Sequence, residues 1–131
     1  MYQLRGKLSI VMPAYNEEAL IYNSIMQTLS IVEQFAPDME IIAVNDGSKD
    51  KTKQEIERDD AKQPHPVVPG MRVSGTRIKL VTSNKNRGKG NAIISGISQA
   101  EGDYIAFVDA DLELNPAQLE GYLKKMQESR S

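Results

Sequence analysis

The chain has 131 residues, 40% of them hydrophobic and 26% charged, which fits one ordinary globular domain with a single core (residues 1–131) and leaves no room for two. Lys and Arg number 16 against 18 Asp and Glu, for a net charge of −2, so the basic surplus of a general nucleic-acid binder is missing and no nucleic-acid partner is expected. With no cysteine and the single histidine His65, disulfide scaffolds, thiolate zinc sites, cysteine nucleophiles and multi-histidine metal centres are excluded. No signal-peptide-like stretch follows Met1, and no apolar run approaches the ~20 residues of a membrane helix, so a cytoplasmic chain is expected.

In chain order, the first apolar run, Leu8–Met12, is followed by the polar segment Pro13–Glu18. Ile21, Ile25, Leu29 and Val32 then recur at steps of three and four, which predicts a helix. A second run, Glu40–Val44, leads through Asn45-Asp46-Gly47-Ser48 into a charged segment from about Lys49 to Ala61, predicted as a largely exposed helix. Lys62–Thr76 holds Pro64, Pro66, Pro69, Gly70 and Gly75 and reads as a surface loop; His65 within it receives no role. A third run, Ile78–Val81, precedes the glycine- and lysine-bearing segment Ser83–Asn91 and a helix carrying Ile93, Ile97 and Ala100 on one face. The fourth, Tyr104–Val108, leads into Asp109-Ala110-Asp111 and a helix from near Asn115-Pro116 with the stripe Leu119, Tyr122, Leu123 and Met126.

Strand and helix in alternation predict an α/β fold: a Rossmann-like, largely parallel sheet with helices on both faces. In such sheets ligands bind at the carboxyl ends of the strands, so the four segments after the apolar runs are expected to converge. Asp109 and Asp111, two apart on leaving a strand, can share one side and would hold a hard cation such as Mg²⁺ or Mn²⁺ that bridges phosphate oxygens; Glu113 continues the spacing. The plainer reading is a polar strand end with an Asp capping the next helix. Gly88-Lys89-Gly90 opens a helix, where backbone amides, Arg87 and Lys89 favour an anion; the alternative is a flexible loop with solvated cations. It is neither a P-loop nor the dinucleotide fingerprint, because the Ser or Thr and the third glycine are absent. Asp46 is either a turn cap or an acceptor aimed at a nucleobase edge. Asn16 reads as a helix cap, and Tyr15 as a residue that can cover a base or ribose.

Together, Ser9–Glu18, Val44–Asp50, Asn86–Ala92 and Phe107–Leu112 resemble, in order and spacing, the inverting nucleotide-sugar glycosyltransferases with the A-type fold. Within that group the chain looks most like the polyprenyl (dolichyl) phosphate sugar transferases. The resemblance implies that Pro13, Ala14, Tyr15 and Glu17 line the base and ribose pocket, with Val44 and Asp46 reading the base and Lys89 near the nucleotide. It implies that Asp109, Ala110 and Asp111 form the diphosphate and metal site, with Mg²⁺ or Mn²⁺ as cofactor and Glu113 as a further ligand. The partners implied are a nucleoside-diphosphate sugar and a polyprenyl-phosphate acceptor, on the cytoplasmic face of a membrane reached through parts outside this chain. Family catalytic domains continue well past the Asp-x-Asp segment, so the chain is expected to be the donor-binding part of a truncated domain. It would then lack a nameable catalytic base, bind nucleotide, transfer little sugar alone, and expose apolar surface. A non-catalytic nucleotide-sugar module is the alternative. A phosphoacceptor signalling domain fits less well, because Pro13 and Ala14 stand where it needs an acidic cluster.

Overall fold

The computed structural model describes residues 2–57, 78–113 and 115–130. Four strands, β1 (Leu8–Ala14), β2 (Met39–Asp46), β3 (Ile78–Ser83) and β4 (Tyr104–Phe107), form one sheet in the order β3-β2-β1-β4. Every pairing is parallel, as expected for strands separated by helical crossovers. Among the described residues the helices are α1 (Ile21–Val32), α2 (Thr52–Ile56), α3 (Lys89–Gln99) and α4 (Leu119–Arg130), the last preceded by a 3₁₀ turn at Pro116–Gln118.

The alternation of side chains along β1 sorts the two faces. Leu8, Ile10 and Met12 pack with Ile21, Ile25, Leu29 and Val32 of α1, Ile56 of α2 and Leu123 of α4. Val11 points the other way and joins Ile42, Val44 and Ala92 of α3. The first two strands outrun their apolar cores and end at Ala14 and Asp46. Pro13, Ala14, Asn45 and Asp46 are therefore held by the sheet itself. The Val11 carbonyl accepts from the N–H of Val108, and Pro13, two residues on, faces the same side beyond the end of β4. Its missing N–H thus breaks no ladder bond.

Two predicted helical faces are corrected. The inward residues of α3 are Ala92 and Gly96, while Ile97 is exposed and Ile93 half-buried. This helix lies so close to the sheet that a Cβ on Gly96 would run into the Val11 side chain, and bulky residues have no room there. Gly96→Ala should lower stability, since overpacking costs about 1–3 kcal/mol against a gain of about 1 kcal/mol in helix propensity; a lower urea midpoint is the check. In α4 only Leu123 of the predicted stripe is fully buried, with Leu119 half-buried and Tyr122 and Met126 exposed. Helix α2 spans five residues; the rest of that predicted helix, and the segment Lys62–Thr76, lie outside the described residues.

Apolar side chains are exposed on two elements. Ile105 and Phe107 on β4, one of the sheet's two edge strands among the described residues, are open, and so are Ile94 and Ile97 on α3. Among the described residues no helix is long and apolar enough to cross a membrane.

Candidate functional site

At the carboxyl edge of the sheet lies a cavity of about 440 Å³. It brings together Pro13, Ala14, Tyr15 and Glu17 from the end of β1, Asp46 from β2, Lys89 from α3, and Asp109, Ala110, Asp111 and Glu113 beyond β4. Asn86, Gly88 and Ala92 also line it; Gly88 belongs to the Gly88-Lys89-Gly90 helix opening, whereas the sequence pattern assigns Asn86 and Ala92 no individual role. Val44 is placed elsewhere: fully buried, it lines a second cavity of about 410 Å³ together with Val81, Lys85, Arg87 and Ser95. Asp46 and Ala92 border both cavities.

Asp46 shows how the strand ends organise the loops. Its carboxylate is buried and accepts backbone N–H groups from Arg87 (2.9 Å) and Gly88 (3.1 Å), so it anchors the entry to α3 and does not cap the helix after its own strand. The N-cap of that helix is Lys51, and just before it Asp50 Oδ1 accepts from the Thr52 N–H at 2.9 Å. Burial alone would raise the Asp50 carboxyl, but hydrogen bonds from Thr52 and from the Glu18 N–H outweigh it and hold the group below the usual range. Next to Asp46, Gly47 adopts φ 69° with the Lys85–Asn86 backbone pressed against the place a Cβ would take. Only glycine fits there.

Asn16 does not cap α1, whose N-cap is Leu20. With φ 53°, a conformation Asn tolerates better than most residues, it donates its N–H to Ser48 Oγ and accepts from the Lys49 N–H, both at 2.9 Å. The loops after β1 and β2 are thereby clasped together. The Glu17 N–H donates to Thr52 Oγ1 at 2.8 Å, which fixes Glu17 at the cavity wall. Burial, then the carboxylates of Asp111 and Asp50, push its carboxyl upward.

The Asp109–Leu112 segment is a tight turn, closed by the Leu112 N–H donating to the Asp109 carbonyl at 3.0 Å. Leu112 has φ 52°, a strained choice for a branched side chain, and its packing against the main core holds it there. From beneath, the buried Ser24 hydroxyl of α1 donates to the Ala110 carbonyl. Asp111 Oδ1 accepts from the Glu113 N–H at 3.0 Å, and Asn115, not an Asp, caps the turn that follows. Lys89 Nζ lies 2.7 Å from Asp109 Oδ1. This hydrogen-bonded pair, with further pull from Asp111 and Glu113, raises the Lys89 ammonium above its ordinary value.

Among the described residues, five carboxylates and one ammonium therefore line the first cavity. Among the described residues no three of the carboxylates converge as a ready-made metal cage. Asp109 and Asp111 in one turn nonetheless match the donor set of Mg²⁺ or Mn²⁺, which commonly takes one or two carboxylates and completes its shell with water and phosphate.

Residues 9–131 match the family described as glycosyl transferase family 2. The chain belongs to that family. The family 2 chain is 34% identical over 122 residues to an undecaprenyl-phosphate 4-deoxy-4-formamido-L-arabinose transferase of Enterobacter sp., covering 93% of this chain and 34% of that protein. It is 35% identical over 118 residues to the protein of the same name from Photorhabdus laumondii, covering 90% of this chain and 33% of the relative. The chain thus spans about a third of the length of these curated relatives. Among solved structures, residues 1–349 of Staphylococcus aureus TarS in complex with UDP-GlcNAc superpose with a TM-score of 0.65 at 25% identity, over 93% of this chain and 31% of that fragment. The Pyrobaculum calidifontis mannosyltransferase PcManGT, with GDP-Man and Mn²⁺, gives a TM-score of 0.66 at 23% identity, over 82% of this chain and 28% of the other. The parallel Rossmann-like sheet is the fold these glycosyltransferases share with the family 2 chain.

Proposed function

We propose that this chain is the donor-binding portion of a metal-dependent, inverting glycosyltransferase that takes a nucleoside-diphosphate sugar and passes the sugar to a polyprenyl-phosphate acceptor. One observation carries the reading: Asp46, Lys89, Asp109 and Asp111, from three separate segments, meet at one cavity on the carboxyl edge of a parallel sheet in a family 2 chain. The relatives' names favour a transferase over a sugar-binding module and favour a polyprenyl-phosphate acceptor. Structural neighbours in complex with UDP-GlcNAc, or with GDP-Man and Mn²⁺, speak for a UDP- or GDP-linked donor and for Mn²⁺. Docking to a membrane surface and a cytoplasmic location follow from the lipid acceptor and belong to the same proposal.

The residues divide the donor between them. The base rests where the two cavities meet at Asp46, toward the Val44 wall of the second, with Asp46 reading its edge: each Asp46 oxygen already accepts one N–H, and a carboxylate offers about four acceptor positions. Tyr15 and Glu17, with Pro13 and Ala14 behind them, flank the ribose. Lys89 faces the diphosphate. Asp109 and Asp111 would hold the divalent cation, with Glu113 as a further oxygen donor in the same wall; when bound, the cation offsets the charge growing on the leaving diphosphate.

The test is calorimetric titration of UDP and GDP, each with Mn²⁺ and with chelator, on wild type and Asp111→Asn. Wild type should bind one nucleotide more tightly with metal, and Asp111→Asn should lose that increment while keeping the metal-free affinity. Equal wild-type affinity with metal and with chelator would remove the cation from the site.

A further inference from the structure

The ion pair between Lys89 Nζ and Asp109 Oδ1 joins the cavity's one ammonium among the described residues to a carboxylate that a bound cation would need. Both side chains are well exposed, at 62% and 47%, and exposed pairs of this kind are weak and easily exchanged. Lys89 is the first residue of α3. The Gly88 N–H just before it donates to Asp46 Oδ2, so its backbone is anchored while its four-carbon arm can turn. A Lys ammonium binds a carboxylate or a phosphate as a mobile point charge.

We propose that Lys89 is an internal competitor for the divalent cation: without ligand it occupies Asp109, and the arriving diphosphate draws it away and frees that carboxylate for the metal. The inference rests on the donor-binding reading above and adds its regulation. With Asp109 engaged, the metal alone meets a site with one of its two carboxylates neutralised, and it binds weakly. A diphosphate offers Lys89 a more highly charged partner. Metal and nucleotide then strengthen each other's binding, and the factor is the same in either order.

The experiment is titration of the 131-residue chain with Mn²⁺ alone, UDP and GDP alone, and nucleotide with Mn²⁺, for wild type, Lys89→Gln and Lys89→Arg. Wild type should show coupling of at least about 5-fold, the lower end of ordinary linkage. Lys89→Gln should bind Mn²⁺ alone more tightly, bind nucleotide alone more weakly, and show coupling reduced toward unity; Lys89→Arg should retain it. Mn²⁺ affinity that does not rise in Lys89→Gln, with nucleotide binding intact, overturns the exchange and leaves the donor-binding reading standing. If wild type binds neither nucleotide with Mn²⁺ present, the donor-binding reading falls and the exchange falls with it.

Discussion

Asp46→Ala is expected to abolish nucleotide binding and to lower the stability of the chain by about 3–4 kcal/mol. The carboxylate makes two charge-assisted hydrogen bonds to backbone N–H groups at the mouth of α3, and such bonds contribute roughly 1.5–3 kcal/mol each. The Arg87 and Gly88 N–H groups are near enough to the surface to recruit water, which places the loss toward the lower part of the combined range. Gly47, Lys85 and Asn86 pack backbone against backbone beside it, so loosening this joint displaces Lys89 as well. Asp46→Asn, which keeps one acceptor oxygen, should be intermediate in both urea unfolding and nucleotide titration. A variant that unfolds at the wild-type urea midpoint would show that Asp46 does not organise the loop.

Glu40 should produce the other large effect, at the opposite edge of the sheet. It is 2% exposed, yet it accepts from Ser9 Oγ at 2.6 Å and from the Glu101 N–H at 2.8 Å, and it lies 2.9 Å from Lys79 Nζ. Burial pushes the carboxyl upward, but these hydrogen bonds and the charge of Lys7 outweigh it, and the net position is below the usual carboxylate value. A carboxyl held low in the fold and released to about 4.3 on unfolding stabilises the native state above that value. The contribution is lost as pH falls through the lower, folded value. Stability should therefore drop on acidification below about pH 4.3, and Glu40→Gln should flatten this limb of the curve. Glu40→Ala should cost about 3 kcal/mol, the lower end for breaking a buried pair, because Lys79 and Lys7 are each 30% exposed and can turn to water. Urea unfolding between pH 3 and 7 reads both effects; an unchanged acid limb in Glu40→Gln would show that Glu40 does not carry it.

Both faces of the sheet and the convergence of the four loops were legible because they follow from periodicity and topology. Apolar runs alternating with helical spacing leave few arrangements, and parallel strands bring their carboxyl ends to one edge. The pairing of Asp109 with Lys89 was not legible, since those residues stand twenty positions apart and meet only once α3 and β4 share the sheet. Asn16 misled for a similar reason: its side chain answers to Ser48 and Lys49 on another loop, and local cap preference gave way to that tertiary contact. Spacing chose the wrong inward residues in α3, because apolar character was weighed and the closeness of helix to sheet, which favours Gly96, leaves no mark in a periodicity. Glu40 passed as part of an apolar run, and nothing local told of the polar partners that Ser9 and Lys79 supply.

The strand order β3-β2-β1-β4 also bears on how the chain comes to be folded. Strand β1 is made first and is central, yet its β4 side is completed only by residues such as Asp103, which bonds to Lys7 across 96 positions of sequence. At ribosomal speeds of about 5–20 residues per second, that flank waits roughly 5–20 seconds for its partner to appear. Pairings so distant in sequence also form slowly once both strands exist. During synthesis the apolar row Leu8, Ile10 and Met12 therefore depends on α1 and β2 for early cover. The mouth built around Asp109 comes into being only after β4 has been made, so a ligand can act on the four-stranded sheet but cannot template its first half.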